Sequence, residues 1–357
     1  MKIVQMTHTL VHGDAVSNNV IAIKHLLEES GYTSKVYACN VRGKFESGVY
    51  RYKDNMQLSE DDILVYHMSI GCELNDAAVS FRCRKLMIYH NITPPDYFEY
   101  YNPEAEARCR QGLEQLHKMK DNFDYVICDS EFNREDLLKI GFDEKKTVTM
   151  PLFIDTDSYK AEADAAVVEK YNDGRKNILF VGRIAPNKKI QDVIRVFAHY
   201  KKYFDSDSRL IIVGNGTEGL YYNELCEYIR AIGVKDVVFT GHVEFSELIA
   251  YYKSADLFLC MSEHEGFCVP VIEAMFFEIP VIAYSAAALP YTMGNSGILA
   301  DSKEPSYVCE LIKRVLEDEE LYKFIVEEQK KQIKKFEFRL QKDNYCKFLK
   351  WLIEQFS

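Results

Sequence analysis

The 357-residue chain predicts an α/β protein of two doubly wound, parallel-sheet domains facing each other across a cleft. Three observations carry that expectation. The length exceeds one ordinary domain of about 150 residues. Apolar strand-like runs alternate with amphipathic helical stretches from end to end, the pattern of βαβ units with buried parallel strands. The alternation pauses between Pro151 and Asn177, where LFIDTDSYKAEADAAVVEKYNDGRK mixes charge with turn formers.

In order, KIVQM, SKVYAC, ILVYHM, KLMIYHN and YVICDS read as strands of the first half. NILFVG, RLIIVG, VVFTGHV, LFLCMS and PVIAYS read as strands of the second. Ten strands are more than one compact sheet usually carries. Between them, AVSNNVIAIKHLLEESG and IQDVIRVFAHYKKYF have helical spacing of apolar residues. The expected boundaries are a first domain over 1–155, a linker over 156–176 and a second domain over 177–338. A last helix over 339–357 is expected to pack back on the first domain. In that tail Lys347 and Lys350 alternate with Phe348, Leu349, Trp351 and Leu352. Docking by an apolar face is the favoured reading, ahead of an interfacial helix on an anionic membrane.

Hydrophobic residues at 47% and charged ones at 28% are the mix of a folded soluble protein. No apolar run approaches the roughly 18 to 20 residues of a membrane span. MKIVQMTHTL is too short and polar for a signal peptide and reads as a first strand. The ten cysteines are scattered with no CxxC pair, and Cys128 and Cys260 sit inside apolar strands. Reduced, buried thiols in a cytosol are therefore expected, not a disulfide framework or a zinc site. A net charge of −11 argues against a nucleic-acid partner.

Ligands of open α/β sheets bind beyond the carboxyl ends of the strands, so the residues just after each strand matter most. In VGRIAPNKK, Arg183 and Lys188 follow a strand and precede a helix. A planar fork and a point charge suit a diphosphate, although two solvated cations fit the spacing as well. In IIVGNGTEG, Gly214, Gly216 and Gly219 have GxGxxG spacing, but the next strand ends in Thr240 and Gly241 without the acid a dinucleotide site wants. A tight glycine turn beside a nucleotide is the better reading. Gly13, in LVHGDAVSNNV, either lets backbone N–H groups approach a phosphate or makes a plain turn, with Asp14 or Ser17 as caps. The pairs Asp155/Asp157 and Asp205/Asp207 sit among turn formers, and no metal is expected there.

In EHEGFCVPVIEAMFFEIP, Glu265 lies in the loop after LFLCMS, and Pro270 opens a helix that carries Glu273 in its first turn. Carboxylates are costly to bury. Two of them at a strand end suit the hydroxyls of a polyol, with helix-end electrostatics the alternative for Glu273. A glycosidase pair fits poorly, because a hydrolase has no use for Arg183, Lys188 and a glycine loop.

VGRIAPNKK…VIRVFA, GHVEFSELIAYYKSADLFLCMSEHEGFCVPVIEAMFFEIPVIAYSA and HGDAVSNNVIAIKHLL resemble the retaining GT-B glycosyltransferases of family 4. YHNITPPDYF, from Tyr89 to Phe98, is similar to a subset acting in bacterial polysaccharide and lipopolysaccharide assembly, often mannosyltransferases. The likeness covers both halves and is most specific from Asn177 to Asp301. It implies two Rossmann-like domains and transfer of a hexose from a GDP- or UDP-linked sugar to a glycan or lipid-linked acceptor. It also implies retention by front-face attack and no metal or other cofactor; the protein is expected in the cytoplasm, with the last helix the place for any peripheral contact with the inner face of a membrane.

By the same resemblance, Glu273 binds the ribose hydroxyls, while Glu265, with amides at Gly266 and Phe267, holds the transferred sugar. Arg183 and Lys188 grip the diphosphate, Gly13 offers its amide to the distal phosphate, and His90 lies near the anomeric centre. The base stacks near Gly241 to Val243. The acceptor is expected on the first domain, around His67, Asn91 and the loop from Thr93 to Asn102. Two departures stand out: Lys189 follows Lys188 where the family often has Gly, and Ala287 and Tyr291 replace the Gly and Glu of Gly-x-x-Pro-Glu. A sugar-nucleotide epimerase or phosphorylase, or a non-catalytic nucleotide-sugar-binding subunit, are the competing functions on this fold.

Overall fold

The computed structural model describes residues 2–53 and 56–356. The chain forms two compact units. One comprises Met1–Glu99, Pro103–Ile154 and Phe336–Ser357; the other comprises Tyr100–Asn102 and Asp155–Lys335.

The first unit is built on a seven-stranded sheet. Its strands are β1 (Ile3–Val11), β2 (Ser34–Arg42), β3 (Val49–Arg51), β4 (Ile63–Met68), β5 (Arg84–Tyr89), β6 (Tyr125–Cys128) and β7 (Thr147–Thr149). They lie in the order β3-β2-β1-β4-β5-β6-β7, and every pairing is parallel. Helices α1 (Ala15–Glu29), α2 (Glu73–Ser80), α3 (Pro103–Met119) and α4 (Glu131–Lys139) make the crossovers. The pleat sends alternate residues to opposite faces. Leu64, Tyr66 and Met68 of β4 thus pack with Leu116 and Met119 of α3, while Ile63 and Val65 pack with Ile23, Leu26 and Leu27 of α1. With both faces covered, all six residues of β4 are buried.

The second unit holds six strands: β8 (Asn177–Val181), β9 (Arg209–Val213), β10 (Val237–Gly241), β11 (Leu257–Cys260), β12 (Val281–Tyr284) and β13 (Ile298–Ala300). Their order is β10-β9-β8-β11-β12-β13, again all parallel. The helices are α5 (Ala165–Tyr171), α6 (Ile190–Tyr203), α7 (Leu220–Ile232), α8 (Phe245–Lys253), α9 (Val269–Phe276), α10 (Leu289–Met293), α11 (Pro305–Glu317) and α12 (Glu319–Ile333). Ile178, Phe180, Leu210 and Leu257 meet Val193 and Phe197 of α6 and Val308 and Ile312 of α11 in its core. The final helix, α13 (Phe338–Phe356), belongs to the first unit. Its Tyr345, Leu349 and Leu352 join Ile3 and Ile63 in a common core, so its apolar face is docked.

Three strands lie outside the ten read from sequence: β3, β7 and β13. Each has three residues and each ends a sheet, where little apolar surface marks the chain. Residues 156–176, read as a connector, fold with the second unit. Asp164 caps α5 by accepting from the Val167 amide (2.9 Å), and its own amide donates to the Ser246 carbonyl of α8 (3.0 Å). Among the described residues no helix is long and apolar enough to cross a membrane.

In each sheet the winding reverses once, between β1 and β4 and between β8 and β11. Adjacent crossovers depart to opposite faces there, so the loops leaving those strands diverge and leave room for a ligand.

Candidate functional site

In the second unit, the loops after β8 and β11 bring the sequence-predicted residues Arg183, Lys188, Glu265, Gly266 and Phe267 to the reversal point. Asn187, buried in the 3-10 turn Pro186–Lys188, holds the two loops together. Its Nδ2 donates to the His264 carbonyl, and its carbonyl accepts from the Glu263 amide, both at 3.0 Å. Lys188, next in the chain, points its Nζ at Glu265 Oε2 in a direct ion pair. The Glu265 side chain is only 8% exposed and that of Lys188 17%. Arg183 lies in the same loop, exposed, with no side-chain partner among the described residues. The arrangement is one satisfied cation beside a shielded carboxylate and one cation open to a ligand.

Gly214 has a structural reason to be glycine. A Cβ there would stand 2.1 Å from the Gly182 carbonyl oxygen, and one on Gly216 would stand 2.8 Å from that of Ile184. The β9 loop must touch the β8 loop backbone to backbone, with the Gly182 amide donating to Val213 and the Ile184 amide to Asn215. Both family departures keep the geometry a glycine would have. Lys189 has φ 49° and Ala287 φ 50°, each left-handed. Lys189 pairs with Glu263 at 3.0 Å, and the amide following Ala287 donates to the Glu265 carbonyl at 3.2 Å.

Glu273 sits on α9, but as its fifth residue and not in the first turn expected from sequence, because the helix begins at Val269. Helix-end electrostatics therefore do not account for it. Its partners do: the Tyr159 hydroxyl donates to Oε1 (2.9 Å) and the Tyr252 hydroxyl to Oε2 (2.6 Å). Burial pushes this carboxyl upward, and the two phenols pull only partly against it. Gly266 and Phe267 lie in the loop just before α9, where the Phe267 carbonyl accepts from Thr292 Oγ1 at 2.5 Å. Val243 is half-buried between β10 and α8. Asp155 and Asp205 bind backbone amides in their own turns.

In the first unit, Gly13 (φ 79°) has open space where a Cβ would point. Asp14 caps α1 by accepting from the Ser17 amide at 3.0 Å. His67 and His90 form a buried chain: Gln5 Oε1 meets His67 Nε2 (3.0 Å), His67 Nδ1 meets His90 Nε2 (2.9 Å), and His90 Nδ1 meets Asp129 Oδ2 (2.7 Å). The His90 side chain is 1% exposed, and both ring nitrogens are engaged internally. The ring thus offers no free nitrogen to a ligand, contrary to its expected place beside a reacting carbon. His67 is buried in the same way, and Asn91 is turned inward, its Nδ2 donating to Asn133 Oδ1 at 2.8 Å. Burial, then neighbouring His90, holds His67 well below the ordinary histidine range. Burial raises Asp129, with His90 opposing.

A separate polar cavity of about 660 Å³ opens in this unit, lined among others by His8, Tyr52, Glu73, Asp76, Arg108 and Gln111. The sequence reading missed it, as it missed Gln5, Asn187, Tyr159, Tyr252 and Asp129. Only two of those carried a signal: Gln5 is a polar residue inside an apolar strand, and Asp129 directly follows YVIC.

Residues 168–332 match the family described as "Glycosyl transferases group 1". The chain is 24% identical over 242 residues to O-antigen chain mannosyltransferase B of Escherichia coli, covering 66% of this chain and 62% of that protein. It is 32% identical over 173 residues to alpha-monoglucosyldiacylglycerol synthase of Streptococcus pneumoniae, covering 45% and 37%. It therefore spans less than two thirds of the length of these relatives. The crystal structure of Anabaena Alr3699/HepE in complex with UDP and glucose superposes with a TM-score of 0.77 at 18% identity, over 98% of this chain and 99% of that one. The fold is GT-B, and the two parallel sheets are consistent with it.

Proposed function

We propose that this chain, whose residues 168–332 belong to the group 1 glycosyl transferases, moves a hexose from a nucleotide sugar to a glycan or lipid-linked acceptor. The observation that carries the reading is the Lys188–Glu265 pair beside the open Arg183 at the strand reversal of the second unit. When a nucleoside diphosphate leaves a sugar, charge grows on its oxygens, and fixed cations aimed there lower the barrier. Arg183 supplies the fork. Lys188 turns from Glu265 to the diphosphate, which frees Glu265 to accept hydrogen bonds from the sugar hydroxyls. Glu273, held by Tyr159 and Tyr252, accepts from the ribose hydroxyls. The amides of Gly266 and Phe267 and the backbone near Val243 complete the donor contacts.

In this reading the acceptor hydroxyl attacks the anomeric carbon on the face the diphosphate leaves and gives its proton to the departing phosphate, so configuration is retained. Arg183 and Lys188 stabilise the leaving charge without a metal. His90 acts by shaping the floor of the first unit and not through a ring nitrogen. The acceptor occupies the cavity of that unit. There Glu73 and Asp76 accept from its hydroxyls, Arg108 donates, and Tyr52 offers a ring face. The E. coli relative's name supports a mannosyl donor and the Anabaena complex a UDP-linked glucosyl one.

The test is calorimetric titration of UDP-glucose, UDP-N-acetylglucosamine, GDP-mannose and dTDP-rhamnose, with and without EDTA, on the wild type and Arg183→Ala. One donor should bind independently of metal, and the variant should lose it. Binding that EDTA abolishes, or that survives loss of Arg183, would overturn this reading.

A further inference from the structure

Directly beneath Glu265 lie two thiols. Cys260 ends β11, and Cys268 precedes α9. Cys260 Sγ, Cys268 Sγ and a Glu265 carboxylate oxygen all fall within 4.8 Å of one another, and all three residues are buried. Cys268 stands at φ 74°, a left-handed conformation that favours glycine, so the backbone is strained where this thiol is held.

We propose that Cys260, Cys268 and Glu265 form a site for a soft divalent cation, Zn²⁺ or Cd²⁺, whose occupation shuts the donor site. Tetrahedral zinc with bonds of about 2.3 Å to sulfur and about 2.0–2.2 Å to oxygen needs donor atoms roughly 3.5–3.8 Å apart. The three donors, within 4.8 Å of one another, reach that spacing by closing about 1.3 Å or less. Charge agrees with geometry. Two thiolates and one carboxylate beside the Lys188 ammonium sum to −2, and a divalent cation brings the buried group to zero, as burial of charge demands. Lys188, already bonded to Oε2, becomes the outer partner that orients the carboxylate toward the metal. Ser262 Oγ, 3.3 Å from Cys260 Sγ, borders the fourth position. Two protons leave the thiols on binding, so affinity rises with pH. A metal-bound Glu265 no longer accepts sugar hydroxyls, and donor binding is lost. That second consequence rests on the donor-site reading; metal binding itself does not.

The experiment uses the full chain with the half-buried thiols Cys39, Cys226 and Cys346 changed to Ser, titrated with Cd²⁺. Thiolate-to-metal charge-transfer absorption and metal retained after desalting are both read. One equivalent should bind with the absorption band. Cys260→Ser and Cys268→Ser should each reduce this to none, while Cys309→Ser, at a buried thiol elsewhere, should keep it. No retained metal, a band that persists without Cys260, or loss of two thiols to a disulfide in place of binding would each overturn the site. In the donor titration, one equivalent of Zn²⁺ should abolish binding, and EDTA should restore it. Donor binding unchanged by bound metal would refute the coupling alone. A protein that binds no donor at all would sink the functional reading and leave the cadmium result to decide the site.

Discussion

The buried chain Gln5–His67–His90–Asp129 fixes where its protons are, and that gives a sharp expectation for Asp129. Gln5 Nε2 donates to the Val20 carbonyl at 3.1 Å, which orients the amide and leaves Oε1 only able to accept. His67 must therefore carry its proton on Nε2. Burial keeps that ring neutral, so its Nδ1 is bare and accepts from His90 Nε2–H. One proton then remains between His90 Nδ1 and Asp129 Oδ2. Asp129 Oδ1 is buried without a hydrogen-bond partner, so a carboxylate there would rest on its contact with His90 alone. We assign this proton to Asp129, because its buried Oδ1 lacks a hydrogen-bond partner and burial raises the carboxyl, and the Asn and Ala variants test the assignment. An asparagine can replace a protonated aspartate by donating Nδ2–H to His90 Nδ1 with every other bond kept. Asp129→Asn should cost less than about 1 kcal/mol, whereas Asp129→Ala leaves a buried nitrogen unpaired, worth about 1–3 kcal/mol more. Urea unfolding at pH 7 measures both. The sign in pH follows from the raised carboxyl. Native Asp129 keeps a proton that the unfolded chain releases, so wild-type stability falls as pH climbs from the ordinary carboxyl range towards the raised value, and Asp129→Asn lacks that loss. Equal destabilisation by Asn and Ala would refute the proton assignment.

Tyr252→Phe and Tyr159→Phe each remove a phenol from Glu273, a bond to a charged group worth about 1.5–3 kcal/mol, and nucleotide affinity should fall about ten- to hundredfold by calorimetry. Unchanged affinity would detach Glu273 from the nucleotide. Gly214→Ala forces a Cβ to 2.1 Å from a backbone oxygen and should lower the unfolding free energy by at least about 2 kcal/mol; a loss under 1 kcal/mol would show that the two loops need not touch. Ala287→Gly relieves a left-handed alanine, worth about 1–2 kcal/mol, against about 0.5–1 kcal/mol of added chain entropy. A gain of roughly 0.5–1 kcal/mol is therefore expected, and a clear loss in thermal unfolding would contradict it.

Ten of thirteen strands were legible because buried parallel strands are continuous apolar runs, and the three missed are three-residue edge strands with no such run to read. That Arg183, Lys188 and Glu265 gather in the loops beyond two neighbouring strands was legible because each is a charge just after a buried strand, where position itself is informative. Glu273 was misplaced by one turn because Pro270 marks a helix start without fixing which residue is first. Tyr159 and Tyr252 were not legible: they lie 114 and 21 residues from Glu273, and a tyrosine in a turn or on an amphipathic helix looks like packing until its partner is known.

The histidines show the limit from the other side. Position after a strand drew His67 and His90 towards chemistry, and the same position is where a buried ring can meet polar groups arriving from neighbouring strands. Gln5 on β1, His67 on β4, His90 just after β5 and Asp129 just after β6 come from four consecutive strands of the sheet, so parallel register alone aligns them in a row. A strand-end histidine with a free nitrogen and one with both nitrogens occupied have the same local sequence. Lys189 and Ala287 make the converse case: sequence reads two lost glycines, while both residues keep the left-handed backbone that holds the loops around Glu265. What the loops around Glu265 need at those two positions is a backbone angle, and a side chain can occupy it for about a kilocalorie per mole or two.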